Sequence, residues 1–250
     1  MKKLLVALVI ASLAVAAPAF AAQKETETVD RTIPFAANGT LKLKTFSGRV
    51  TITGKSGNDV VVHAIRRATR DRLERVKLEI DVTGTTIRIE TNRKASDSWF
   101  DFRGNTVVET DLDIQVPANT KLDVSTFSSS VTVSGVSGPH DVHGFSSNLT
   151  LRDIDGPLRA RTFSGNVHIE LASSSRPELD VDTFSGDVSV RVFDGAKANL
   201  SFNSFSGDLR SDVPLTLQQK TRRRVNARLN DGGSNELHFK TFSGDVRLTR

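Results

Sequence analysis

A four-residue motif recurs along the chain and constrains the fold more than any other feature of the sequence. Four copies read Thr-Phe-Ser-Gly without variation, beginning at Thr45, Thr162, Thr183 and Thr241. Three further copies keep the Phe in the same frame, so seven rings occupy equivalent positions: Phe46, Phe127, Phe145, Phe163, Phe184, Phe205 and Phe242. Between Phe127 and Phe205 the rings are 18, 18, 21 and 21 residues apart. A unit of that length cannot bury a core alone, so each unit must stack on its neighbour.

Both arms of each motif alternate between apolar and polar residues. In the unit around Phe184, Leu179 and Val181 precede the ring, and Val188 and Val190 follow it. A period of two is typical of strands with one face in a core. The Ser-Gly step between the arms predicts a bend, with the glycines at Gly48, Gly165, Gly186, Gly207 and Gly244. The sequence therefore predicts an all-β fold, a single-stranded, β-helix-like β-solenoid with coils of 18–21 residues.

The first 21 residues have the order of a secretory signal peptide. Lys2 and Lys3 precede an apolar stretch, and the small-residue pattern that follows predicts cleavage after Ala21. The apolar stretch is shorter than the ~20 residues that a membrane-spanning helix needs. We therefore expect an exported protein, periplasmic or at the cell surface, with no transmembrane span after cleavage.

The remaining residues, 22–250, are interpreted as one β-solenoid domain. A less regular, strand-rich part over 28–115 belongs to the same stack. The regular repeat array covers 116–250 and carries an insertion around 211–235, which is rich in Gln, Arg, Asn and Gly.

Composition excludes several chemistries. The chain has no Cys, which rules out disulfides, thiol catalysis and Cys-ligated metals. Five scattered His form no triad with a nucleophile, so we predict no catalytic residues, cofactor or resident metal. The formal charge is +5, but export argues against a nucleic-acid partner. An envelope polymer, a glycan or a protein is the expected partner.

The repeat also resembles a known family. The pattern Leu-Asp-Val-Asp-Thr-Phe-Ser-Gly-Asp-Val begins at Leu179 and returns in similar form at Leu237, and Val116–Val124 and Leu229–Gly233 match as well. On these residues the chain resembles the bacterial envelope family of candidate adhesins with β-strand repeats, whose function is unassigned. The resemblance implies an extracytoplasmic binding or structural role, and it brings no catalytic residues. Two copies depart from it, with Ser129 and Ser147 where Gly is usual.

The seven Phe rings have two interpretations. Strict alternation would point them outward, but a chain that turns a corner can direct them back inside. We expect core or corner packing, because seven exposed rings would make an unusually long apolar patch. The alternative is a face for carbohydrate stacking or self-association.

Two polar patterns also have functional alternatives. A row of Asn and Asp directly follows five of the bends, at Asn148, Asn166, Asp187, Asp208 and Asp245. We expect these side chains to satisfy backbone groups, the alternative being a Ca²⁺ site. His140 and His143 lie on opposite faces of one strand, so they are not expected to chelate one ion.

One loop is densely aromatic and contains Trp99, Phe100 and Phe102. We expect it to cover an open end or side of the stack, the alternative being a partner or ligand contact. The basic run Arg222–Arg224 is interpreted as a solvated face, with a contact to an anionic surface as the alternative.

The combined prediction is an exported, non-enzymatic binding or scaffold module of the bacterial cell envelope that displays polar rows on a rigid rod. One alternative is a structural protein that self-assembles through an open edge at its C-terminal strand, Asp245–Arg250. A less favoured alternative is a polysaccharide-active β-helix enzyme.

Overall fold

The computed structural model of the protein describes residues 24–36, 38–94, 107–172 and 178–250. The predicted signal peptide and the aromatic loop with Trp99, Phe100 and Phe102 lie outside these residues. In the described part of the chain, no helix is both long and apolar enough to cross a membrane.

Strands dominate the described residues, which contain one short helix, α1 (Arg70–Arg75). The strands are β1 (Lys24–Pro34), β2 (Thr40–Lys55), β3 (Asp59–Thr69), β4 (Val76–Thr83), β5 (Thr86–Lys94), β6 (Glu109–Pro117), β7 (Lys121–Ser134), β8 (His140–Ser146), β9 (Leu149–Ile154), β10 (Leu158–Ser164), β11 (Val167–Leu171), β12 (Leu179–Ser185), β13 (Val188–Arg191), β14 (Ala198–Ser204), β15 (Leu209–Ser211), β16 (Leu215–Lys220), β17 (Arg224–Leu229), β18 (Glu236–Ser243) and β19 (Val246–Thr249).

The two arms of the repeat form two rows of strands that share one core. Arms before the Phe stack in parallel as β2, β7, β8, β10 and β12, and arms after it as β2, β7, β9, β11 and β13. In the first row Leu122 aligns with His140, His140 with Leu158, and Leu158 with Leu179. Inward residues of both rows belong to one apolar cluster. The predicted all-β, solenoid-like stack is therefore confirmed.

The N-terminal part joins the same stack and then changes direction. β5 and β6 pair in parallel with the two halves of β2, so that Leu41 lies beside Ile87 and Ile52 beside Ile114. Beyond them the pairing becomes antiparallel, with β4 against β5, β3 against β6 and β1 against β3. The short helix α1 lies between β3 and β4.

The C-terminal strands do not lie at the end of the stack. β18 lies between β12 and β14, and β19 lies between β13 and β15, so Val246 pairs with both Val188 and Leu209. The hairpin β16–β17, inside the predicted insertion, pairs through β17 with β14. The open C-terminal edge predicted at Asp245–Arg250 is therefore wrong. The long connection through the hairpin lets the chain return and fill an inner place.

The outermost strands of the described residues each carry a feature that discourages pairing with another chain. β1 and β4 present charged residues, among them Glu25, Asp30, Lys77 and Asp81. β15 has only three residues, and β16 has a bulge between Leu217 and Gln219. Charge, shortness and bulges are the usual protections of sheet edges.

In the five copies that have a glycine after Phe-Ser, the closeness of the coils favours it. A Cβ at Gly165 would lie 2.1 Å from the Ser147 carbonyl oxygen, and one at Gly186 would lie 2.1 Å from that of Gly165. Backbone angle is a second reason at Gly48 and Gly165, whose φ values are 118° and 141°. Close backbone approach, rather than bend geometry alone, therefore explains why the motif recurs with Gly.

Candidate binding ridge

The seven Phe rings form an exposed row, which we call the Phe ridge: Phe46, Phe127, Phe145, Phe163, Phe184, Phe205 and Phe242. Their exposed fractions run from 37% to 55%, so the expectation of core or corner packing is wrong. The buried residue before most of the rings, which is Thr in five units and Ser204 in a sixth, explains the difference. Thr183 and Thr241 are buried at 6% and 4%, and their hydroxyls donate to the carbonyl oxygens of Gly186 and Gly244. Because the Thr fills the inside of the corner, alternation continues and the Phe points outward.

The rings stack face to face along the whole ridge. Successive centroids are 4.7–5.0 Å apart and the planes differ by 2–14°, which makes the ridge about 29 Å long. The spacing follows that of neighbouring strands, which is ~4.8 Å. The spatial order ends with Phe184, Phe242 and Phe205, because β18 lies between β12 and β14.

The ridge presents ring edges rather than ring faces. Each inner ring has a neighbouring ring on both sides, and the guanidinium of Arg223 lies 4.4 Å from the centroid of Phe205 at one end. At the other end, Phe46 stacks on Phe127 through one face. Sugar rings bind aromatic side chains through free ring faces, so this geometry disfavours the carbohydrate-stacking alternative.

A groove of about 670 Å³ follows the C-terminal half of the ridge, and we call it the Phe groove. Its apolar wall is formed by Phe163, Phe184, Phe242 and Phe205. The residues two positions before each ring also face outward and form the other wall: His143, Arg161, Asp182, Lys240 and Asn203, joined at the end by Arg223.

The charges of the groove are only partly compensated. Arg161 and Asp182, on neighbouring coils, lie 3.6 Å apart. His143 Nε2 lies 2.8 Å from Asp141 on its own strand. Lys240 and Arg223 take part in no ion pair among the described residues. The C-terminal end of the groove therefore combines Phe edges with two cations that lack carboxylate partners.

The basic run Arg222–Arg224 is placed by the hairpin β16–β17, since it forms the turn of that hairpin. Arg223 covers Phe205, and Arg224 Nε donates to Asn203 Oδ1 at 2.8 Å. The run is thus attached to the end of the Phe ridge. Nothing in the local sequence indicated this, because the contact depends on how the hairpin returns to β14.

The Asn and Asp row satisfies backbone groups, as predicted, but it does so between coils. The Oδ1 of Asn148 accepts the N–H of Asn166 at 2.9 Å, and the Oδ1 of Asn166 accepts that of Asp187 at 3.0 Å. The same contact links Asp187 to Asp245 and Asp245 to Asp208, each at 2.9 Å. Within the described ranges, no group of three or more metal-ligating side chains is present.

The two histidines of β8 lie on opposite faces, as predicted. His143 faces the groove, whereas His140 is 3% exposed and takes the core position that holds Leu in neighbouring coils. Its Nε2 lies 3.2 Å from the carbonyl oxygen of Val136. Burial lowers the pKa of His140 to about 4, because the charged imidazolium would lose its hydration.

Residues 109–249 match the Toastrack DUF4097 family. The chain belongs to this family. The family resemblance drawn from the repeats is thereby confirmed. A comparison with curated proteins finds no match.

Solved structures similar to this Toastrack chain cover most of its length at low identity. A candidate cell adhesion protein from Clostridium sporogenes is 10% identical, covers 90% of this chain and 99% of its own, and has a TM-score of 0.48. A candidate adhesin from Bacteroides fragilis is 11% identical, with 89% and 97% covered and a TM-score of 0.33. A candidate lipid-binding protein from Parabacteroides distasonis is 13% identical, with 89% and 97% covered and a TM-score of 0.26.

Proposed function

We propose that the protein is an exported, non-enzymatic, adhesin-like binding module of the bacterial cell envelope, and that its contact surface is the Phe ridge. The observation that carries the proposal is the exposure of all seven rings, each at 37–55%. With ~200 Å² per Phe, the exposed ring area is roughly 600 Å². Patches of a few hundred Å² or more on monomeric proteins mark interaction sites.

The fold does not need Phe at these positions. The polar residues two positions earlier, such as Lys240 and Asn203, also face outward, and their strands pair in register at these positions. An outward Phe gains only part of the burial that an inward one gains. A binding role therefore explains the choice of side chain better than a structural role does.

The repetition of the rings explains how the ridge would bind a ligand. Each coil contributes one ring and adjacent polar side chains, and the sheet holds successive rings 4.7–5.0 Å apart. A ligand that contacts several coils binds through many weak contacts at once, with little loss of protein entropy.

The proposal is tested with the mature protein and envelope fractions, cell-wall sacculi and membrane vesicles separately, from the source bacterium. Phe163→Ser with Phe184→Ser is compared with Val82→Ser and Leu217→Ser, which remove exposed apolar side chains away from the ridge. We expect capture of the protein by the envelope fractions to fall about tenfold or more for Phe163→Ser with Phe184→Ser. Capture of the control, Val82→Ser with Leu217→Ser, should stay unchanged.

A second ridge variant distinguishes loss of binding from loss of folding. Phe163→Tyr with Phe184→Tyr keeps the stack but adds a hydroxyl to each exposed edge, so it should melt like the wild type and still weaken capture. Equal capture by the wild type and both ridge variants would overturn the proposal. Turnover of any member of a glycan panel would overturn its non-enzymatic part.

Self-association is the alternative that one further observation supports. A second copy has the same ring spacing of 4.7–5.0 Å, so two ridges match in pitch over their full length. Such assembly would proceed through the ridge rather than through the protected sheet edges. Sedimentation that gives a monomer at every concentration would remove this alternative.

A further inference from the structure

We infer that the Phe groove binds an anionic single-chain amphiphile, with its apolar chain along the ring edges and its head group between Lys240 and Arg223. The inference rests on the proposed function of the ridge and specifies the chemistry of the ligand.

The apolar wall of the groove is long, narrow and even. Phe163, Phe184, Phe242 and Phe205 follow one another at 4.7–4.8 Å and span about 14 Å. Their planes differ by only 2–4°, so their edges form a continuous apolar strip. A flexible alkyl chain can lie along such a strip, whereas a planar ring finds no free face to stack on.

The polar end of the groove is positive. Asp182 is compensated by Arg161 at 3.6 Å, which leaves Lys240 and the guanidinium of Arg223 to set the sign of the charge. Arg222 and Arg224 lie in the same turn as Arg223. An anionic head group would pair with these cations and neutralise their charge. Charge-assisted hydrogen bonds of this kind are among the stronger polar contacts.

Other occupants fit less well. A second copy would bring its own Lys240 and Arg223 to the interface and add positive charge. A neutral glycan would leave both cations without a counter-charge and would gain little from an apolar strip. An anionic amphiphile would pack its chain against the apolar wall and pair its head group with the cations of the polar wall.

The inference is tested by isothermal titration of the mature protein with laurate below its micelle concentration. Lauryl trimethylammonium and lauryl maltoside carry the same chain with a cationic and a neutral head group. We expect saturable binding of laurate, and binding of the cationic analogue that is weaker by about tenfold or more. Each methylene removed from the chain should weaken binding about twofold, because the groove covers one side of it.

Variants separate the two walls. Lys240→Gln with Arg223→Gln should weaken laurate binding about tenfold and leave maltoside binding unchanged. Lys77→Gln, at the opposite end of the stack, is the charge control and should change neither. Phe184→Tyr should weaken the binding of all three ligands without lowering the melting temperature.

Three results would overturn the inference: no binding of laurate, equal binding of all three head groups, or binding that survives loss of both cations. These results leave the proposed function standing if Phe163→Ser with Phe184→Ser still loses capture of envelope fractions. If that capture is also unchanged, both proposals fail together.

Discussion

The coils form two ladders, an inner one of stacked inward-facing residues and an outer one of stacked outward-facing residues. Each ladder contains a residue type that polarity alone would place on the other side. On the inner ladder, His140 takes a core position among Leu122, Leu158 and Leu179. On the outer ladder, seven Phe rings face solvent. In both cases position along the strand decides burial, because alternate side chains of a strand point to opposite faces. The inner exception predicts that stability depends on pH, and the outer one exposes a row of apolar rings.

The sharpest test of this comparison lies within β18, which holds one Phe of each kind. Phe239 is 1% exposed and Phe242 is 45% exposed, on opposite faces of the strand. Phe239→Ala should lower the free energy of unfolding by about 3–5 kcal/mol, because it leaves a cavity in the core. Phe242→Ala should lower it by about 1 kcal/mol, since only ring stacking and partial burial are lost. Urea unfolding measures both, and equal losses would show that the ridge is structural.

The inner exception predicts a dependence of stability on pH. The pKa of His140 is about 4 in the folded protein and 6.5 in the unfolded chain. Above pH 6.5 the imidazole is neutral in both states; as the pH falls from 6.5 toward 4, only the unfolded chain takes up the proton. His140 should therefore cost about 3 kcal/mol of stability near pH 4 relative to neutral pH.

His140→Leu is the matched variant, because neighbouring coils hold Leu at the same position. Comparison of urea unfolding of the two proteins at several pH values isolates the contribution of His140. The variant should lose this part of the pH dependence. An unchanged pH profile would mean that the imidazole is not buried in the neutral form.

The Asn and Asp row should contribute less to the free energy of unfolding than the inner ladder does. Asn166→Ala removes the acceptor for the N–H of Asp187 and should cost about 1 kcal/mol. Asn166→Asp keeps an oxygen acceptor and is the control, so it should unfold within about 0.5 kcal/mol of the wild type. If the alanine variant is as stable as the control, water replaces the side chain between the coils.

The exposed ion pairs should matter least. Arg159 and Asp180 lie 3.0 Å apart, with side chains 52% and 40% exposed. Arg159→Ala should therefore change the free energy of unfolding by less than about 1 kcal/mol, and the difference should shrink at high salt. A larger effect that persists in salt would indicate a packing role for the Arg side chain.

Much of the stack was predictable from residue spacing. The repeated Phe and the alternation around it predicted strands with one face inward that stack coil on coil, and His140 and His143 were correctly assigned to opposite faces. The exposure of the ridge was not predicted, although the pattern contained the signal. The buried Thr before five of the seven rings, and Ser204 before Phe205, continue the alternation, and this favours an outward Phe over one turned inward at a corner.

The sequence by itself determined the strands, their inward faces and the stacking, because side-chain periodicity and repeat length act locally and are written in the order of residues. Only the tertiary structure decided that β18 and β19 lie between earlier coils, which places Phe242 before Phe205 and brings Arg223 to the end of the ridge. The physical reason is that equivalent coils present nearly the same edge to any neighbour. Their order along the stack is therefore set by the long hairpin connection, and its outcome appears only when the whole chain is packed.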